Sequence, residues 1–459
     1  AASDVYKRQH ILLCGGYVRM EMVRYYIAFL QEYIWSFPML FLLLGTHLYF
    51  TFGSGVIQRK IPLGIKLSIT GERQGFTALA TALAATTGTG NIVGISTAIA
   101  LGGPGAVFWC WLTGFLGIAT CYGECFLAVN YRVKRKDGTY LGGPMYVLER
   151  VLGKKGMAVA FSVFTICASF GIGSSVQAHS ICIAIKEQIP VPAQGIGLAT
   201  VLLAGLVIIG GRNQIAKVCT WLVPAMSTFY FGGCLLLLGL NYRWLGMAVK
   251  VIFASALTLP AVGGGLTGSA FMIAMRIGIS RGLFTNEAGL GSIPMTAAVS
   301  ETKSPVRQGL VSMTGPFWDT VIMCAITGIA SVSSMLSHEE AYLNVPPDRL
   351  CFVAFRQLPF AGEQILSVSL VLFAFATIIG WNVYGECAAE YLLGERGRRL
   401  YRIGYLLFVY LGAVVSLDLV WGLSDLFNSF MAIPNLYCLW KLRDEICTSA
   451  RKPYREEIF

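Results

Sequence analysis

The chain has 459 residues, 55% of them hydrophobic and only 13% charged, with a net charge of +11 and a mean hydropathy of +0.65. A water-facing surface needs about 25% charged residues, so these proportions exclude an ordinary soluble domain and point to lipid as the solvent. The positive charge is spread over many short connections, which excludes a nucleic-acid surface and reads as topology and anionic-lipid contact.

The first residues, AASDVYKRQHILLCGGYVRME, fit neither a span nor a cleavable signal peptide. Met20 or Met22 is read as the natural start, and 1–32 as an extension that is partly foreign. A bilayer core takes about 20 apolar residues per helix. On that rule eleven spans are expected, at 33–52, 75–101, 104–130, 156–186, 196–211, 215–241, 247–278, 308–336, 364–392, 401–420 and 424–441. Residues 33–52 form an extra helix in front, 75–241 and 247–441 form two sets of five spans, and 442–459 form a tail.

Basic residues fix the orientation. Arg59, Lys60, Lys66 and Arg73 follow the first span, and Arg132, Lys134, Arg135, Lys136, Arg150, Lys154 and Lys155 follow the third. The later odd-numbered connections and the tail hold most of the rest. The positive-inside rule then places the N-terminus outside and the C-terminus in the cytoplasm.

Two spans are interrupted. The second carries Gly88, Thr89, Gly90 and Asn91 in mid-span, and the seventh carries Pro260 followed by Gly263, Gly264 and Gly265. Glycine costs about 1 kcal/mol and proline about 3 kcal/mol in a helix interior. Unwound backbone at membrane depth is tolerated only where it lines a cavity. Each set of five spans opens on an interruption, and five is odd, so the second set enters from the opposite side as an inverted repeat. That pattern is the sequence pointer to a transporter site near the midplane. Half-helix N-termini suit a carboxylate. The oxygens of Thr87, Thr89 and Asn91 suit a monovalent cation such as Na+.

Ionisable residues inside spans default to functional hypotheses. Asp319, with Thr320 beside it, is expected to help hold the cation; Glu124 and Asp418 are expected to be packing or interfacial groups. The 13 Cys stand mostly alone in apolar stretches, as at Cys110, Cys121, Cys167, Cys234 and Cys324, and read as reduced packing residues. The four His, with no HExxH and no Gly-x-Ser-x-Gly, give no nucleophile–base pair or metal cluster. No catalytic residue and no cofactor are expected. A channel would need rings of charges or carbonyls around a pore, and none is visible.

The strings TALAATTGTGNIVGISTAIALGGPGAVFWCWL, GGPMY at 142–146, SRGLFTNEAGLGSIP at 280–294, TKSPVRQGLVSM and LFAFATIIGWNVYGE resemble the alanine/glycine:cation symporters over about residues 33–441. The resemblance implies an all-α membrane protein of the leucine-transporter type, with an inverted five-plus-five core of discontinuous helices. It implies symport of alanine or glycine with Na+, or with a proton in its place, in the plasma (inner) membrane of a prokaryote, by a chain working as a monomer.

The substrate pocket implied is Gly88–Asn91 with Gln177, Thr377 and Trp381, joined by Phe170 and by Gly264 of the second interruption. Thr377 and Trp381 are four apart and share a helix face. Trp381 would cap the pocket against larger side chains. The expected cation ligands are Thr87, Asn91, Asp319 and Thr320. Asn286 and Glu287 are expected on the cytoplasmic connection after the seventh span, as part of an inner gate. His179, and Asn382 with Val383, depart from the family pattern near the pocket and put the exact cargo and ion in question.

Overall fold

The computed structural model describes residues 37–70, 73–135, 138–257, 265–415 and 418–454, with Met22, Tyr26, Phe29 and Leu30 before them. Among these residues the chain is helical, apart from one two-stranded hairpin, Val133–Lys134 (β1) with Tyr140–Leu141 (β2). Met20 and most of the N-terminal extension lie outside the described residues, as do Pro260, Gly263 and Gly264, so the expected break there is not described.

Helix α1 (Phe37–Gly53) meets α2 (Ile61–Thr70) through a short 3-10 turn, and the pair is bent by 66°. Next come α3 (Arg73–Thr86) and α4 (Val93–Gly102), which flank the first interruption and are bent by 61°. α5 (Gly105–Asn130) follows; its central part is buried on all sides. After the hairpin come α6 (Pro144–Arg150), α7 (Lys155–Lys186), α8 (Ala193–Ile209) and α9 (Gly211–Leu240). The second half runs α10 (Leu245–Leu257), α11 (Gly265–Asn286), α12 (Ile293–Ala298), α13 (Pro305–Ser337) and α14 (Leu350–Arg356). It ends with α15 (Gly362–Val414), α16 (Asp418–Lys441) and α17 (Arg443–Arg451). α15 is two helices joined at Gly394, where φ is 64° and ψ −150°; this is the break expected between the ninth and tenth spans.

Among the described residues five helices are long and apolar enough to cross a membrane, or up to seven if each bent pair is one span. The eleven spans expected from hydropathy exceed that number for local reasons. α8 is apolar but only 17 residues long, α15 holds two expected spans in one element, and α10 and α11 lie on either side of undescribed residues.

The packing is that of a protein dissolved in lipid. Leu202, Leu206 and Ile209 of α8, Trp221 and Leu236 of α9, and Leu400 and Ile403 of α15 point outward. The interior holds Thr113, Glu124, Gln177, Asp319, Asn382 and Glu386. Small residues let the inner helices touch. A Cβ on Gly282 of α11 would stand 1.9 Å from the Thr113 hydroxyl of α5, and one on Gly412 of α15 would stand 2.4 Å from Ser175 of α7. Two spans also carry a π turn, Ser169–Ser175 in α7 and Phe317–Cys324 in α13. Such turns free backbone groups and mark functional stretches. Both lie beside the site described next.

Candidate functional site

The first interruption is a single 3-10 turn, Thr89–Asn91, after an extended Gly88. Asn91 locks it from both sides. Its Oδ1 accepts from the Gly88 N–H at 3.0 Å, and its Nδ2 donates to the Asp319 carbonyl at 3.0 Å and to Asp319 Oδ1 at 2.8 Å. Thr320 donates to Asp319 Oδ2 at 3.0 Å, and the Thr87 hydroxyl bonds the same carboxylate. The four expected cation ligands are thus one group, fully buried, joining the unwound turn to the π turn of α13.

The expected substrate residues fall into two sets. Thr89 donates to Gln177 Oε1 at 3.3 Å, and Gln177 Nε2 donates to the Ile172 carbonyl freed in the π turn of α7. Thr377 lies against the turn, since a Cβ on Gly88 would be 2.6 Å from its hydroxyl. Trp381, four residues on, is 1% exposed and presses on Gly173, where a Cβ would be 2.5 Å from its own. Phe170 goes elsewhere. Its ring stacks on Tyr401 and Phe408, with centroids 5.4 and 4.8 Å away, in the C-terminal half of α15. Aromatic stacking, the stronger demand of a flat ring, draws it away from the unwound turn.

A second interruption does exist among the described residues, at 286–292. α11 stops at Asn286, Glu287 has φ 53°, Gly289 has φ 90° and Gly291 has φ 84°, and α12 begins at Ile293. Its depth follows from its neighbours. A Cβ on Gly117, halfway along α5, would be 3.1 Å from Ala288 and 3.5 Å from Asn286 Oδ1, and one on Gly90 would be 3.4 Å from the Thr285 hydroxyl. The two interruptions therefore meet. Asn286 and Glu287, expected on the cytoplasmic connection as part of an inner gate, are 1% and 3% exposed and follow directly on Thr285, the residue that meets Gly90. Hydropathy hides this, because AGLGSIP after Glu287 is apolar and carries no further charge.

Carboxylates hold the second interruption. Glu124 Oε1 of α5 accepts from the N–H groups of Gly289 (3.1 Å) and Gly291 (3.0 Å) and from Asn435 Nδ2 (2.6 Å). Glu124, expected as a packing or interfacial group, packs α5 against α16 and the second interruption as a buried cap for unwound backbone. Glu287 accepts from the Ser292 hydroxyl at 2.6 Å and bonds the Trp381 side chain. The side chain of Asp418 lies outside the described residues.

A cavity opens on each side of this centre. One, of about 460 Å³, runs from Thr89 and Gly90 past His179, Arg281 and Asp425 to Asp348 and Arg349. His179 thus lines an approach, close to Gln177 and the first interruption. The other, of about 470 Å³, lies beyond Trp381 and is lined by Thr81, Val383, Glu386, Arg135, Arg212 and Arg402. There Glu386 takes two bonds from Arg402, at 3.0 and 3.2 Å, and Glu390 pairs with Arg212 at 2.6 Å and with Arg135. Sequence reasoning misses this arginine cluster; its one signal is a pair of carboxylates inside an apolar span followed by GERGRR. Asn382 is fully buried, and among the described residues neither amide atom has a hydrogen-bond partner.

The geometry is that of a polar centre between two broken helices, with a cavity on either side. A solved structure of a Na+-coupled sialic acid symporter in a substrate-bound outward-open state superposes with a TM-score of 0.54, covering 86% of each chain at 12% identity, which gives the architecture of a membrane transporter. The sodium/alanine symporter AgcS of Methanococcus maripaludis is 41% identical over 93% of this chain and 96% of its own length. An uncharacterised transporter of Haemophilus influenzae is 42% identical over 92% and 94%. The probable sodium/glutamine symporter GlnT of Bacillus subtilis is 32% identical over 95% and 92%. The profile of the sodium:alanine symporter family matches residues 20–458. With a polar centre of this kind inside a multi-pass apolar frame, and with these relatives over nearly its whole length, the chain belongs to the sodium:alanine symporter family.

Proposed function

We propose that this protein carries alanine or glycine across the plasma membrane together with Na+, by alternating access around the two interruptions. The observation that carries this reading is their meeting, with Thr285 beside Gly90 and Glu287 beside Trp381. The unwound stretch Gly88–Asn91, Gln177, Thr377 and Trp381 form the amino-acid pocket. Thr87, Asn91, Asp319 and Thr320 form a cation site, in which the ion would take over oxygens now occupied by the Asn91 amide. Trp381, which is bulky, and Thr377 are buried beside the unwound turn, and we take them to limit the cargo to small side chains, which favours alanine and glycine over the cargo of the glutamine relative.

The frame we propose is eleven spans, with the second to sixth and seventh to eleventh as an inverted repeat, each set opening on an interrupted helix. The N-terminus is then outside and the arginine-lined cavity faces the cytoplasm, consistent with the positive-inside rule. One chain suffices, since it contains both interruptions.

The test is uptake of labelled alanine and glycine into proteoliposomes with an inward Na+ gradient, a matched K+ gradient, or a pH gradient. Accumulation only with Na+, competed by the other small amino acid and weakly by glutamine, is the expected result. Accumulation driven by the pH gradient alone would replace Na+ by a proton. Glutamine as the strongest competitor would overturn the cargo.

A further inference from the structure

Three guanidinium groups converge on one buried carboxylate in the cavity beyond Trp381. The Glu386 side chain is 1% exposed, and its Oε1 accepts from Arg402 Nη2 at 3.0 Å. The same oxygen stands 3.5 Å from Arg212 Nε and 3.9 Å from Arg398 Nε. Neither of those contacts is a hydrogen bond: both Nε–H groups are buried, and among the described residues neither has an acceptor. Glu390 is engaged elsewhere, since it holds Arg135 and Nη2 of Arg212. Glu301 and Glu395 stand at the same face, both exposed to water. Like charges gathered away from water repel, and a charged donor left without an acceptor is costly.

The space beside these groups has the size of a ligand site. The cavity, about 470 Å³, reaches from Arg398 and Arg402 to the start of α9, where it is lined by Gly210, Gly211 and Arg212. Gly210 gives α9 no side-chain cap, which leaves the first-turn N–H groups in need of an acceptor, as the arginines are. Gly211 has φ 78°, and a Cβ on it would stand 3.5 Å from Arg402 Nη2. The acceptor called for is an anion with several oxygens. A planar carboxylate matches one guanidinium fork at a time, whereas a tetrahedral oxyanion can face several. Ile209, 72% exposed, is part of the lining, so the cavity borders lipid as well as water.

We propose that this cavity binds a phosphate group, held by Arg212, Arg398 and Arg402 and by the first turn of α9. The group is that of inorganic phosphate or of an anionic lipid headgroup, which share this chemistry. Bound there, it meets the two unsatisfied Nε–H groups and ties the start of α9 to the part of α15 that follows the Gly394 break. The site lies outside the polar centre and goes beyond the symport reading: neither the amino acid nor Na+ takes part in it.

The experiment uses the purified full-length protein without Na+ or amino acid, so its outcome stands apart from that of the uptake assay. In one arm, equilibrium binding of radiolabelled inorganic phosphate is measured in detergent, at constant ionic strength with chloride. In the other, the thermal midpoint is compared between nanodiscs of phosphatidylcholine alone and nanodiscs that also hold phosphatidylglycerol, without free phosphate. Saturable binding of about one phosphate per chain, weakened about tenfold by Arg398→Gln, supports the site with the free ion as ligand. A midpoint raised by phosphatidylglycerol in the wild type, and by much less in Arg398→Gln, supports it with the headgroup as ligand. Arg398→Lys keeps the charge without the fork and should fall between wild type and Arg398→Gln; it decides alone if Arg398→Gln does not fold. No response in either arm, or responses that the Arg398 variants leave unchanged, overturns the proposal.

Discussion

The two interruptions solve one physical problem with different chemistry. In the first, a neutral amide closes the turn: Asn91 takes the Gly88 N–H and reaches across to Asp319. In the second, a carboxylate from another helix does the same task, because Glu124 takes two backbone N–H groups and the Asn435 amide on one oxygen. A neutral clasp can exchange its partners for an ion at small cost. A buried charged cap with three donors cannot be released without leaving all of them unmet. The first interruption is therefore built to rearrange, and the second to stay rigid.

Substitutions can break or sharpen that contrast. The largest effect is expected at Glu124→Ala, which strands Gly289, Gly291 and Asn435; a loss of about 3–5 kcal/mol should appear as a strongly lowered melting temperature or no folded protein. Glu124→Gln, which keeps one acceptor, should recover part of it. Asn91→Ala should cost less, about 1–3 kcal/mol, and should act on Na+-dependent uptake more than on melting. Equal melting losses at the two positions would erase the distinction between a movable and a fixed clasp.

Trp381→Ala empties a fully buried site and should lower the melting temperature as well, but its distinguishing effect is a wider cargo range, so that larger amino acids compete with labelled alanine; an unchanged competition profile would remove Trp381 from the pocket. The smallest effect is expected at Arg356→Ala. Its pair with Glu363 is largely exposed, and a change within about 0.5 kcal/mol in melting and no change in uptake should result.

The first interruption is legible in the sequence because its breakers are clustered: Gly88, Gly90 and Asn91 stand together in an apolar run, where close helix packing would need only one of the glycines. The one at 286–292 is not. Pro260 and Gly263–Gly265 give the louder signal, while Asn286–Ser292 resembles an ordinary loop until the burial of Glu287 is known. Glycine spacing shows where a chain can unwind but not at which depth, and the approach of Ala288 and Asn286 to Gly117 is what fixes the depth. Thr87, Asn91, Asp319 and Thr320 stand out as oxygen donors inside spans, and the fold brings them together. Phe170 and Trp381 are both aromatics beside a glycine in a span, and the stacking partners that draw Phe170 away, Tyr401 and Phe408, come from far along the chain. The Glu386–Arg402 cluster depends on the kink of α15 at Gly394 and on Arg212 arriving from α9, which hydropathy does not record.

The most direct measurement of a site shared by the two interruptions is a double-mutant cycle on equilibrium alanine binding at fixed Na+. Asn91→Ala, Glu287→Gln and the double variant are compared with the wild type by the Kd for labelled alanine. Two halves of one site should each weaken binding, and the double variant should lose less than the sum, with a coupling of about 0.5–3 kcal/mol. Additive losses, or a loss at one position and none at the other, would contradict a site built jointly from 88–91 and 286–292.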